Sequence, residues 1–266
     1  MTDEVLTERR GATLWLRLNR PHALNSLTDG LLDALSRGLD IAASDKDIRV
    51  VVVAGEGRAF CAGADLLAFP EPDAVRDFLH RVGMVFDRIE SFPKPVIAAV
   101  HGIAAGGGLE LLLCADLVVA SRSARFADAH ANYGLLPGAG GSVRLPRRIG
   151  PARAKHLMFT GAALPAEEFA NTDLVTIFTE NERLVEETDA LAESMAGKSP
   201  LGLAAMKQLV AEGLEIDAAE ALRRERDRLI AHARSSDFAE GIRAFSEKRT
   251  PVFTGHTPQT PRSDHP

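Results

Sequence analysis

The chain has 266 residues, 45% of them hydrophobic, and a formal net charge of −6. That is enough apolar content for the core of one large domain, or of a domain with an appendage, and the acidic balance excludes a general nucleic-acid binder, whose contact face is basic. No run approaches the length of a membrane span, the start Met1-Thr-Asp-Glu-Val lacks a signal-peptide pattern, and the expected location is the cytoplasm.

Thr13–Asn19 alternates like a half-buried strand and stops at Asn19-Arg-Pro21. From Thr28 to Ala43 the apolar residues recur every three or four positions, with Thr28 or Asp29 as N-cap of a first helix. Arg49–Ala54 is a buried strand of parallel type, followed by the small-residue loop Phe60-Cys-Ala-Gly-Ala-Asp65. An amphipathic helix over 72–89 ends at Phe92-Pro-Lys-Pro95, and Val96–Val100 is the next buried strand. Asp116–Ser121 is a further strand, Pro137-Gly-Ala-Gly-Gly141 a glycine-rich turn, and Ser142–Ile149 a helix. Beyond Pro151 the pattern is mostly helical, with a short strand near Leu174–Phe178 and a solvated charge run at Arg223–Arg228. Pro251–Pro266, rich in proline and small polar residues, reads as a loose tail. No linker divides the chain into independent domains.

The run Ala105-Gly106-Gly107-Gly108-Leu109-Glu110 stands out. Glycine is poor inside a strand or a helix, so three in succession suggest a sharp strand-to-helix turn, with free N–H groups at the helix start and Glu110 one turn in. The loop at Ala62–Asp65 also follows a predicted strand, which puts both loops at one edge of a parallel sheet. If each gives an N–H to one point, they form an oxyanion hole suited to a thioester carbonyl. Read as packing alone, the same glycines serve tight turns and close contact, and spacing does not decide between the two. The dinucleotide fingerprint fails, because the sixth position after Gly106 and Gly108 is Leu111 and after Gly138 and Gly140 it is Val143. Cys61 and Cys114 form neither a zinc motif nor a disulfide framework; Cys114 reads as a small buried hydrophobe, and no sequence feature singles out Cys61 as reactive.

In order and spacing, a set of segments resembles the crotonase family, the enoyl-CoA hydratase/isomerase superfamily: Leu18-Asn-Arg-Pro-His-Ala-Leu-Asn25, Arg58–Leu66, Lys94–Gly102, Gly106–Glu110, Cys114-Ala-Asp116, Leu136–Gly141 and Phe245–Arg249. The resemblance implies an α/β fold with a ββα spiral core over residues 1–199, a C-terminal helical trimerisation region over 200–250, and self-association to a trimer or hexamer. It implies a coenzyme A thioester as ligand, coenzyme A entering only as part of the substrate, with no tightly bound cofactor and no metal. By motif position the amides of Ala64 and Gly107 hold the thioester oxygen. His22, Ala23, Leu24, Ala62, Asp65, Leu66, Ile103 and Gly106 line the substrate groove, and Lys248 and Phe253 are C-terminal coenzyme A contacts. His22 departs from the Lys or Arg common at its position and attracts phosphate less.

Hydratases of this family use two glutamates on one water, and Glu110 matches the first. Between Phe126 and Gly134 the second position is filled by His130. Imidazole, with an ordinary pKa of about 6.5, is still an acid–base group, and a nearby carboxylate favours its charged form. Asp128 ranks behind it, on the same side of an extended segment, and His101 reads as structural. The expected reaction is hydration of a 2-enoyl-CoA to a 3-hydroxyacyl-CoA. Double-bond isomerisation is the nearest alternative, followed by hydrolysis, decarboxylation or retro-Claisen cleavage, and then a non-catalytic acyl-CoA binding subunit.

Overall fold

The structure, a computed structural model, describes residues 3–66 and 72–255. It divides into two compact units, one made of residues 1–92 and 96–193, the other of residues 93–95 and 194–266.

The first unit is built on two sheets. The larger has the order β1-β2-β3-β5-β7-β10, formed by β1 (Val5–Arg10), β2 (Thr13–Leu18), β3 (Val50–Gly55), β5 (Val96–Val100), β7 (Leu117–Ser121) and β10 (Ile177–Thr179). Its β1–β2 pair is antiparallel and every other pair is parallel. The smaller has the order β4-β6-β8-β9, with β4 (Ala59–Cys61), β6 (Ile103–Ala105) and β8 (Arg125–Ala127) parallel and β9 (Leu164–Pro165) antiparallel to β8.

Consecutive strands alternate between the sheets: β3 then β4, β5 then β6, β7 then β8. The first two of these pairs are each followed by a helix, α2 (Pro72–Glu90) and α3 (Gly107–Leu113), which gives the expected ββα order. Between β5 and β6 the chain turns at Gly102, in left-handed backbone, where an added Cβ would stand 2.1 Å from the Arg58 carbonyl oxygen. Only glycine fits so close to a neighbouring main chain.

β3 and β5 are buried along their whole length, as an all-Val/Ile/Ala strand covered on both faces must be. Helix α1 (Asp29–Ser44) starts at Thr28, whose Oγ1 accepts the Leu31 N–H at 3.1 Å, and buries Leu31, Leu35 and Leu39 in the core. Each such leucine contributes roughly 2–3 kcal/mol by leaving water. Helices α4 (Gly141–Ile149) and α5 (Pro151–Thr160) follow the second glycine-rich turn, and α6 (Leu184–Ala196) spans the boundary of the units.

Three readings of the sequence change. The glycine run is entered from the three-residue strand β6 and not from Val96–Val100, and the whole smaller sheet is too short-stranded to show a period. β1 pairs antiparallel to β2 at the sheet edge, where two consecutive exposed residues, Leu6 and Thr7, break the alternation and leave a weak pattern. The strand expected near Leu174–Phe178 lies at Ile177–Thr179.

The second unit contains α7 (Pro200–Gly213), α8 (Ala218–His232) and α9 (Ser236–Glu247). The arginines of the charge run sit on an exposed surface of α8, where Arg223 and Arg224 pair with Glu220 of the same helix. Residues 251–255, expected to be loose, are tied to α9: the Val252 N–H donates to Glu240 Oε1 at 2.9 Å and the Gly255 N–H to Asp237 Oδ1 at 3.0 Å. Arg249 also pairs with Glu240 and holds its carboxyl well below the usual carboxylate range. Residues 256–266 lie outside the described residues. No helix among the described residues is long and apolar enough to cross a membrane.

Candidate active site

β4 and β6 are neighbouring parallel strands, so the loops that leave their C-terminal ends emerge side by side. An added Cβ at Gly107 would lie 3.5 Å from the Ala64 nitrogen, and one at Gly63 would lie 3.3 Å from the Gly107 nitrogen. The two amides are therefore adjacent. Gly107 is the first residue of α3, where an N–H has no acceptor within the helix. Neither amide donates to an acceptor among the described residues. Two such N–H groups at one place form an anion-stabilising pair.

The three glycines do three different jobs. Gly106, with φ +49, makes the turn that opens α3. Gly107 supplies an N–H without putting a side chain beside Ala64. Gly108 lets the helix touch β4, since an added Cβ would stand 2.0 Å from the Cys61 carbonyl oxygen. The packing reading holds at Gly108, while Gly106 and Gly107 bring the start of α3 up to the Ala64 loop.

Main-chain hydrogen bonds tie together two of the loops named from the sequence. Leu24 and Asn25 have left-handed backbone, and the Ala62 N–H donates to the Leu24 carbonyl at 3.0 Å. The Leu27 N–H donates to Gly63 O at 2.8 Å and the Asp65 N–H to Leu27 O at 3.1 Å, so the loop carrying His22, Ala23 and Leu24 is stitched to the one carrying Ala62, Ala64, Asp65 and Leu66. Asn25 was not expected to matter and is the clamp of this arrangement. Fully buried, it donates to Glu56 O at 2.9 Å and Ala59 O at 2.8 Å and accepts the Arg20 N–H at 2.9 Å. Its place at the end of the quoted Pro-His-Ala-Leu-Asn segment was the available signal. Asp65 faces Arg20 at 3.5 Å, His22 and Leu66 are exposed, and Ile103 is half-buried in β6. Lys248 and Phe253 belong to the second unit.

Glu110 is 3% exposed, and its partners are main-chain groups: Oε1 accepts the Ala139 N–H and the Gly141 N–H, each at 2.8 Å. The second glycine-rich turn thus serves the first. Arg144, the arginine that a simple ion pair to Glu110 would need, instead pairs with Glu90 at 2.6 Å and donates to Ala139 O at 2.8 Å, bracing the same turn. Oε2 of Glu110 accepts no donor among the described residues, which leaves it for proton transfer.

His130 begins a 3-10 turn (His130–Tyr133) after β8. Its ring lies against Gly106, both Nε2 and Cε1 being 3.8 Å from where a Cβ of that glycine would stand. Its Nδ1 lies 3.0 Å from Asp128 Oδ1, within hydrogen-bond distance. Burial pulls the ring toward neutrality, but the hydrogen bond and charge of Asp128, with the charge of Glu110, outweigh it and raise the His130 pKa above its ordinary value. The extended geometry expected for 128–130 is not found: β8 ends at Ala127 and left-handed Ala129 bends the chain between the two side chains.

His101 is structural, with Nε2 2.8 Å from the Gly57 carbonyl oxygen. Both cysteines are buried, and burial pushes each thiol up to about 12, so neither is a nucleophile at neutral pH. Among the described residues no group of three His, Cys, Asp or Glu side chains is placed to hold a metal ion.

Comparison with known proteins identifies the family. Residues 8–256 match the family model described as enoyl-CoA hydratase/isomerase. The chain is 38% identical to a 2,3-dehydroadipyl-CoA hydratase of Escherichia coli (strain K12), over 95% of this chain and 99% of the relative. It is 37% identical to a 1,2-epoxyphenylacetyl-CoA isomerase of the same organism, over 96% of this chain and 100% of the relative. Among solved structures, an enoyl-CoA hydratase from Bacillus anthracis superposes with a TM-score of 0.91 at 34% identity, covering 95% of this chain and 100% of that one. A ββα fold, paired glycine loops and a family match along nearly the whole length give one conclusion: the chain belongs to the enoyl-CoA hydratase/isomerase family, the crotonase superfamily, and is an enzyme of that family.

Proposed function

We propose that the protein adds water across the double bond of a 2-enoyl-CoA thioester to give the 3-hydroxyacyl-CoA. The observation that carries this reading is the meeting of two unpartnered amides, Ala64 and Gly107, with a buried carboxylate fixed through one oxygen only. The thioester oxygen sits between the amides, which hold the negative charge that develops as the enolate forms. Glu110 Oε2 takes a proton from a water as its oxygen bonds to the β-carbon. Protonated His130 gives the Nε2 proton to the α-carbon, and the proton on Glu110 returns to His130 through solvent, so the net change is one added water. Relatives named as hydratases support this assignment.

The coenzyme A part of the substrate lies along His22, Ala23, Leu24, Ala62, Asp65, Leu66, Ile103 and Gly106, with Lys248 and Phe253 as further contacts. The enzyme uses no tightly bound cofactor, assembles as a trimer or hexamer through its C-terminal helices, and works in the cytoplasm. Exposed Met206, Val210, Leu229, Ile242 and Phe245 on those helices support self-association, which sedimentation tests directly.

Isomerisation is the second reading, favoured by the relative named 1,2-epoxyphenylacetyl-CoA isomerase and by an imidazole at the second acid–base position. It needs one group to move a proton between carbons and adds no water. Incubation with enoyl-CoA thioesters of varied length and double-bond position, followed by mass analysis, separates the two. Hydration gives products heavier by one water. Products of unchanged mass with a moved double bond replace hydration with isomerisation, and binding without turnover across the panel overturns both.

A further inference from the structure

We propose that Asp128 is the positioning residue of the acid–base pair: it fixes the His130 ring so that Nδ1 keeps its proton and Nε2 faces the substrate. This deepens the reading in which His130 moves a proton and rests on it.

Asp128 is 2% exposed and its Oδ1, an acceptor when the carboxyl is ionised, lies 3.0 Å from His130 Nδ1. The other oxygen, Oδ2, is fully buried and has no hydrogen-bond partner, alone in this among the described side-chain atoms. A buried carboxylate with one oxygen unserved weakens a fold, so its charge has a use other than holding the loop together. That charge meets a single hydrogen-bonding group, the imidazole. With Nδ1–H committed to a carboxylate, the neutral ring has one tautomer and its Nε2 is the nitrogen that exchanges protons. Nε2 also lies on the Gly106 side, one residue from the Gly107 amide. The charged groups that act on the ring are Asp128, two residues before it on the chain, and Glu110 of α3. Both are carboxylates, and both favour the protonated form of the ring.

The test is 15N NMR of histidine-labelled full-length protein, with the His130 signal identified by its loss in His130→Gln. In the parent protein the ring titrates above the ordinary histidine value, and its neutral form carries the proton on Nδ1. In Asp128→Asn, which keeps the shape and removes the charge, the midpoint falls by at least tenfold in proton affinity. The pH profile of turnover moves down with it, kcat drops more than tenfold, and KM changes less than threefold. A midpoint unmoved in folded Asp128→Asn overturns the proposal. If that variant does not fold, the parent spectrum decides, because a neutral ring protonated on Nε2 overturns it alone. The spectra need no substrate, so they judge the dyad separately from the hydration reading, which the mass analysis judges.

Discussion

The Gly141 N–H donates to Glu110 Oε1 at 2.8 Å, reaching across 31 residues of chain from the first turn of α4 into α3. A Cβ at Gly141 would stand 3.2 Å from the same oxygen and 3.1 Å from Pro137 Cβ, tight enough to push the carboxylate by a few tenths of an ångström. Gly141→Ala should therefore fold normally and lose about tenfold in kcat, since small misplacements of an acid–base group are costly. Steady-state kinetics beside a thermal melt checks this, and a variant with unchanged kcat means that the position of Oε1 is not critical.

Glu110→Gln keeps a carbonyl oxygen able to accept the Ala139 and Gly141 N–H groups, so the fold and thioester binding should survive. Turnover should fall by at least about a hundredfold, because the amide takes no proton. Calorimetric binding of a coenzyme A thioester, measured with the kinetics, separates lost chemistry from lost binding.

Gly107→Ala and Gly108→Ala should fail in different ways. At Gly107 the new Cβ meets the flexible tip of Leu27 at 2.9 Å and faces the Ala64 amide at 3.5 Å, which obstructs the anion pair. The protein should fold and lose on the order of a hundredfold in kcat, the effect of removing one such donor. At Gly108 the Cβ meets the Cys61 main chain, α3 must move off β4, and the melting temperature should fall by about 5 °C or more. Equal melting temperatures for the two variants would contradict the division of labour among the glycines.

The His130 pair makes stability depend on pH in a definite direction. The folded-state pKa is raised above the ordinary 6.5, so the stabilisation is fully present below that value and is lost as pH rises through the folded-state value above it. Melting temperatures should fall over that window. The fall should be shallower in His130→Gln, and an identical slope would mean that the pair carries no linked proton.

His22 is exposed on the loop that leads into Asn25, the loop proposed to meet coenzyme A, and a lysine there would add a permanent positive charge. His22→Lys should lower the KM for a coenzyme A thioester by about threefold at low salt, with kcat unchanged and the gain fading as ionic strength rises. A KM insensitive to the change would place the phosphates elsewhere.

The larger sheet was legible because β3 and β5 are unbroken apolar runs, and α1 because Thr28 caps a regular three-and-four spacing. The smaller sheet was not, since three-residue strands such as Ala59–Cys61 have no period to read. Glu110 was legible as a carboxylate in apolar company, but its partners were not, because a main-chain N–H from residue 139 or 141 has no letter in the sequence. Asp128 was visible and misplaced: the extended geometry assumed for its segment gives way to left-handed Ala129, a backbone state that an alanine does not announce.

Adjacent parallel strands stand about 4.8 Å apart, and Ala64 and Gly107 each follow the end of one of them. The approach of the two amides is therefore prepared by neighbouring rungs of a β-ladder and completed by Gly63 and Gly107, which keep side chains out of the space between them. On the hydration reading, residues around this point can be exchanged to admit a longer, branched or charged acyl group while the amides proposed to hold the thioester oxygen stay where the strands place them. On that reading, selectivity for the acyl chain and activation of the carbonyl are separable, the first written in side chains and the second in where two strands let their main chains go.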